Sequence, residues 1–165
     1  MIILGIDPGS RTTGYGLVSV QGKNIEHVDN GSISPSHTSL PQRLQYIYDA
    51  LTKLIQEYRP DVMALEEIFV AHNVRSAMVL GHARGVAMLC AVNARLILEE
   101  YSAREVKQAV VGFGTASKLQ IQQMTKSLLK LPEIAAVDAA DALAVALCHG
   151  QSQHLKERIK KAGGA

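Results

Sequence analysis

The sequence predicts an α/β fold, a mixed five-stranded sheet flanked by helices, and three observations carry that expectation. Apolar runs too short for buried helices occur at residues 2–6 and 62–65. Two stretches between them, 14–20 and 25–33, alternate with the period of a strand. From residue 40 onward the apolar period turns helical, and strand-like and helical segments then take turns. Three strands, a helix, and then alternation make a sheet with both parallel and antiparallel neighbours, covered by helices.

Each element has its own signal. Ile2-Ile3-Leu4-Gly5-Ile6 is almost continuously apolar, as a strand buried on both faces should be. Asp7-Pro8-Gly9-Ser10 ends it, with Pro presetting one turn position and Gly expected to supply a positive φ at the next. Residues 14–20 and 25–33 form an antiparallel meander with Lys23 and Asn24 in its turn. Leu40, Leu44, Ile47, Leu51, Leu54 and Tyr58 recur at helical spacing until Pro60 stops the helix. Val62-Met63-Ala64-Leu65 is a fourth strand that runs into Glu66 and Glu67. An Ala/Gly-rich helix over 74–92, a strand over 95–99, helices over 103–110 and 117–130, and an almost wholly apolar helix over 134–149 complete the order.

The 165 residues suit one core, with 47% hydrophobic and 19% charged residues, an ordinary globular balance. No apolar run approaches the roughly 20 residues that span a bilayer, so no membrane role is expected. The opening MIILGID has no basic segment and soon meets an acid, unlike a secretory signal. Cys90 and Cys148 sit in Ala/Leu-rich surroundings and read as small buried hydrophobes of a reducing compartment, which points to the cytoplasm. A net charge of +2 decides nothing about partners; any nucleic-acid contact must come from a local patch. The expected organisation is one domain over 1–150 and a basic, flexible tail over 151–165, where Lys156, Arg158, Lys160 and Lys161 outnumber Glu157.

The chemistry lies in four carboxylates. Asp7 follows five residues without a polar side chain, and Glu66 follows Val-Met-Ala-Leu. Ionised carboxylates are rarely buried unless paired or metal-bound. In an open α/β sheet, ligands bind beyond the carboxyl ends of the strands, where both acids would lie if strands one and four are neighbours. Asp138 and Asp141 are three apart and share a face of a helix that is apolar nearly all round. A hard divalent cation such as Mg²⁺ explains such a group: it takes a few carboxylate oxygens, keeps waters and accepts phosphate oxygens. Two such ions can hold the attacking water and the leaving oxygen of an in-line phosphoryl displacement. Any one acid alone has a plainer explanation, Asp7 as a turn former and Asp138 as a helix cap. Strand geometry lets only one of Glu66 and Glu67 face Asp7, and periodicity leaves that choice open.

At this point the residues resemble the RuvC family of Holliday-junction resolvases. The first block is Ile3-Leu4-Gly5-Ile6-Asp7-Pro8-Gly9-Ser10-Arg11-Thr12-Thr13-Gly14-Tyr15-Gly16. Glu66-Glu67-Ile68-Phe69 with Asn73, Ser76-Ala77 and Leu80-Gly81-His82-Ala83-Arg84-Gly85 is the second. Val106-Lys107-Gln108 with Gly112-Phe113-Gly114 and Lys118 is the third, and Asp138-Ala139-Ala140-Asp141-Ala142-Leu143-Ala144 the fourth. The first block alone is weakly specific; the four in family order are highly so. Departures are mild: Glu67, His72 and Arg75 stand at positions that vary, and residues after 149 have no clear counterpart.

The resemblance implies an RNase H-like fold and a symmetric homodimer. It also implies Mg²⁺- or Mn²⁺-dependent nicking of two opposed strands in a four-way DNA junction, in cooperation with a branch-migration motor complex. It places the family's acids on Asp7, Glu66, Asp138 and Asp141, choosing Glu66 over Glu67. It gives Lys107 and Lys118 to DNA contact and support of the cut, and Phe69 to holding the junction centre. Without the family, both lysines would read as surface solubilisers and a lone Phe as core. The six histidines show no metal-ligand spacing.

Three other functions compete. A nucleotide-binding ATPase of the actin or hexokinase type opens similarly but needs a second domain, and no Walker-type loop is present. A related nuclease of the same fold would act on RNA–DNA hybrids or other branched DNA, and a silent junction-binding module would tolerate loss of the carboxylates. Two matched nicks call for two sites, hence a C2 dimer. The helix at 74–92 is the candidate interface, with Ala77, Gly81, Ala83, Gly85, Ala87 and Ala91 allowing close approach and Met78, Leu80, Met88 and Leu89 supplying apolar area.

Overall fold

The apolar runs and the helical periods become one sheet with helices on both faces. The computed structural model describes residues 1–36, 39–67 and 74–162, with the backbone alone for 156–162. Its elements are β1 (Ile2–Asp7), β2 (Thr13–Gln21), β3 (Asn24–Ile33), α1 (Leu40–Tyr58), β4 (Val62–Glu66), α2 (Val74–Asn93), β5 (Ile97–Tyr101), α3 (Ala103–Val111), α4 (Lys118–Leu129) and α5 (Val137–Ala162). The sheet order is β3-β2-β1-β4-β5. Strands β1, β2 and β3 pair antiparallel, whereas β4 runs parallel to both β1 and β5. The expected neighbourhood of strands one and four is therefore present, and their carboxyl ends point the same way.

Strand parity decides what faces what. Leu4, Ile6, Met63 and Leu65 point to one side and bury against Ile47, Leu51 and Ile55 of α1 and Ala87, Cys90 and Ala91 of α2. Ile3 and Ala64 point to the other side, into a core shared with α3, α4 and the Leu143–Cys148 stretch of α5. Helix α5 lies directly on this second face because glycines leave room for it. A Cβ at Gly5 would stand 2.1 Å from the Ala142 carbonyl oxygen, and one at Gly14 2.0 Å from that of Asp138.

Four expectations need correction. Gly9 does not take a positive φ; among described glycines only Gly22 and Gly112 do. Gly9 is needed for space instead, since a Cβ there would meet the Thr12 carbonyl oxygen at 2.1 Å. The β2–β3 turn is Gly22-Lys23, and Asn24 already pairs with Gln21. Strand β5 lies two residues later than expected, because Arg95 adopts a left-handed φ of 58° and the chain extends only beyond it. As an edge strand, β5 accepts Glu99 and Glu100, which an interior strand would not. Finally, α5 does not end near His149 but runs to Ala162. Gly150 sits inside the helix, close to Ile25 and Val20, so it permits packing rather than marking an end.

Candidate active site

The second face of the sheet is apolar until its carboxyl edge, where it turns acidic. On β1 the parity that points Ile3 and Gly5 at α5 carries Asp7 to the same side, and on β4 the parity of Ala64 carries Glu66 there. Glu67 has the parity of Leu65, lies past the end of β4 and is exposed. Register and packing thus settle which glutamate shares a side with Asp7. It is Glu66.

Asp7, Glu66 and Asp141 line one cavity of about 220 Å³ together with Lys107 and Lys118, over a floor of Val106, Ile121 and Ala144. The three acids come from β1, β4 and α5, so tertiary structure alone brings them together. Asp138, one turn before Asp141, is half-buried and lines the neighbouring hollow with Gly9, Ser10, Arg11, Thr12 and Arg75. The structure therefore assembles three of the four expected acids around one cavity and sets the fourth beside it. Phe69 lies outside the described residues.

Local caps aim the lysines. Ser102 accepts from the Glu105 amide while Glu105 accepts from the Ser102 amide, a capping box that starts α3 straight after β5. Ser117 and Gln120 do the same for α4. Lys118 is then the first residue of α4, where the positive end of the helix dipole disfavours a cation. Its ammonium offsets this by donating to Asp141 Oδ2 at 3.3 Å. The lysine is largely exposed, so the pair adds little stability; its significance is where it puts the charge. The loop after β1 is held by Thr13 Oγ1, which donates to the Gly9 carbonyl oxygen at 2.6 Å.

The electrostatics are those of a crowded acidic site. Burial, then the charges of Glu66, Asp141 and Asp138, push the Asp7 carboxyl up to about 7, against a smaller pull from Lys118. Burial and Asp141 raise Glu66 as well, opposed by Lys118 and Lys107. Asp141, above all, raises the Lys118 ammonium and keeps it charged. Carboxylates held against desolvation and mutual repulsion favour a cation among them.

The donor set suits a hard divalent ion, because the ionisable cavity-lining groups are carboxylates and lysines, with no thiol or imidazole. Among the described residues, no three acidic, His or Cys side chains already clasp a point in space. Mg²⁺ does not require that, since it keeps several waters and takes one or two carboxylates. Sequence reasoning overlooked Arg11 and Arg75, which face the hollow beside Asp138. The available signal was Arg11's place in the turn after a strand that ends in an acid.

The family model for crossover junction endodeoxyribonuclease RuvC matches residues 3–149. A crossover junction endodeoxyribonuclease RuvC from Syntrophotalea carbinolica is 58% identical over 96% of this chain and 99% of that protein. One from Geobacter sulfurreducens is 55% identical over 97% and 98%. Among solved structures, Thermus thermophilus RuvC in complex with Holliday junction substrate superposes with a TM-score of 0.88 at 30% identity, covering 94% of this chain and 96% of that one.

Proposed function

The chain belongs to the RuvC family of crossover junction endodeoxyribonucleases, RNase H-like enzymes that resolve Holliday junctions, and from that premise we propose how its residues divide the work. Asp7, Glu66 and Asp141 are the carboxylates on which phosphodiester hydrolysis depends, with Asp138 assisting from the adjoining hollow. The single observation behind this reading is their convergence from three elements on one cavity that two lysines also line. The acids would hold Mg²⁺, with Mn²⁺ as a substitute and two ions per site, and bound metal would supply charge stabilisation and an activated water. Asp7, pushed towards neutrality by its surroundings, is the acid whose ionisation is most coupled to the arrival of a cation.

Lys107 and Lys118 meet the phosphate backbone at the rim, where a cation attracts the strand without reading its sequence. Phe69 contacts the junction centre. Residues 1–150 form the nuclease domain, and the basic segment 151–165 is an appendage to it. The enzyme acts in the cytoplasm with a branch-migration motor complex; among the described residues no helix is long and apolar enough to cross a membrane.

Two opposed nicks require two copies, and the outer face of α2 is the surface proposed to pair them. Val74, Met78, Leu89 and Val92 are exposed along one stripe, and Gly81 and Gly85 lie on it with open space where a Cβ would be. Ala83, Ala87 and Ala91, expected at the interface, are instead buried within the chain's own fold. Gly81→Glu is expected to yield folded monomers at micromolar concentration that no longer make paired cuts. Sedimentation showing an intact dimer for that variant would remove α2 from the interface. The function itself is tested by incubating the protein with a synthetic four-way junction, a linear duplex and an RNA–DNA hybrid, with and without Mg²⁺. Symmetric nicks in the junction alone, only with metal, are expected; preferential cutting of the hybrid would overturn the reading.

A further inference from the structure

A buried hydrogen bond joins the Tyr101 hydroxyl to the His149 ring and links β5 to α5. Tyr101 is the last residue of β5 and the register partner of Glu66. Its Oη lies 2.8 Å from Nδ1 of His149 on α5, and the two rings meet edge to face at 71°. Both are buried, His149 completely and Tyr101 to 7% exposure. Tyr101 belongs to a buried cluster with Val106, Val110 and Leu147. Leucine or phenylalanine would fill such a space without any polar group to satisfy, so packing alone does not explain a Tyr–His pair.

We infer that the Tyr101–His149 bond is a positioning tie that fixes α5 against the edge of the sheet, and so sets the separation between Glu66 and Asp141. The tie joins α5, which carries Asp141, to β5, the strand that pairs in parallel with β4 and its Glu66. At one end is the strand residue beside Glu66; at the other is a helix residue eight positions, roughly 12 Å, along α5 from Asp141. Ser102 follows Tyr101 directly and caps α3, which bears Lys107, so that lysine is set by the same anchor. Apolar side chains slide past one another at small cost, whereas a directional bond between buried groups fixes rotation and translation together. Displacements near 1 Å in a reacting constellation can cost about a hundredfold in rate.

The inference rests on the reading of Glu66 and Asp141 as the cutting carboxylates, and the test separates the two. Four variants are compared with wild type: Tyr101→Phe, His149→Leu, His149→Asn and Glu66→Gln. Tyr101→Phe keeps the ring and removes the hydroxyl; His149→Asn keeps a polar atom near Nδ1. The readouts are the single-turnover cutting rate at saturating protein, junction affinity without metal, and the rise in unfolding midpoint on adding Mg²⁺ alone. Tyr101→Phe is expected to cut about tenfold more slowly, to bind the junction within about twofold of wild type and to gain less stability from Mg²⁺. His149→Leu should follow it, His149→Asn should recover most of the rate, and the double variant Tyr101→Phe/His149→Leu should be no slower than Tyr101→Phe. Wild-type cutting by Tyr101→Phe, or a slower rate matched by an equal loss of junction affinity, overturns the tie. Wild-type cutting by Glu66→Gln overturns the site reading instead.

Discussion

The two faces of the sheet are built from the same strands and do different things. Towards α1 and α2, Leu4, Ile6, Met63 and Leu65 are completely buried, and the acid that follows on that parity, Glu67, is exposed. Towards α3, α4 and α5, the parity that buries Ile3 and Ala64 ends in Asp7 and Glu66, only half-buried and facing a third carboxylate. One face is a core that ends in an exposed acid. The other is a core that stops one residue before the strand does, so rigid packing holds charges where nothing in the chain neutralises them fully. The difference teaches that this site is an edge property: its groups are positioned by burial and expelled from it at the same time.

The largest effect expected from this contrast comes from changing one charge on the active face and one on the opposite parity. Glu66→Gln alters shape little but removes a ligating charge. Junction cutting should fall by about 10³-fold or more while metal-free junction binding stays near wild type. Glu67→Gln, one residue on and turned the other way, should leave the rate within about twofold. A dead Glu67→Gln beside an active Glu66→Gln would invert the assignment of faces.

On the closed face the expected damage is to stability instead. Leu65→Ala deletes a fully buried side chain between β4 and the helices above it. The cavity should cost about 3 kcal/mol, read as a lower denaturant midpoint, while the folded fraction keeps cutting. A smaller effect belongs to the rim. Lys107→Ala or Lys118→Ala should weaken junction binding severalfold and lower the slope of log affinity against log salt by about one. An unchanged slope together with an unchanged rate would make either lysine an ordinary surface residue.

How far the sequence could be read follows the same division. Apolar runs name buried strands, so β1 and β4 and the acids at their ends were legible, as was the acidic pair on α5. Choosing Glu66 over Glu67 rests on the family resemblance, because periodicity cannot say which side each acid faces until Gly5 and Gly14 are seen to lie under α5. The lysines depended on family resemblance; the physical reason for Lys118, a cation placed against a helix dipole and held there by Asp141, needs the helix start to be located. Likewise α2 was judged by its small residues, yet whether an alanine faces outward or inward depends on the helix's rotation. Three of them, Ala83, Ala87 and Ala91, are buried.

The smallest expected effect tests the electrostatic half of the comparison in protein stripped of metal by a chelator. Burial and three acidic neighbours raise Asp7 from the ordinary 3.8 to about 7. A carboxyl raised on folding contributes stability that is fully present below its unfolded value, near 4, and is lost as pH climbs through about 7. Ionising Asp7 therefore works against the metal-free fold at pH 8 and scarcely at all near pH 4. Asp7→Asn keeps the shape and has no proton to lose. Its unfolding midpoint should be a few degrees above wild type at pH 8, with the gap shrinking steadily as pH falls towards 5. Adding Mg²⁺ should reverse the order at pH 8, because the cation stabilises the carboxylate and leaves the amide unaided. Parallel curves for the two proteins across this range, without metal, would mean that Asp7 is not held against its charge and that the two faces differ in chemistry but not in strain.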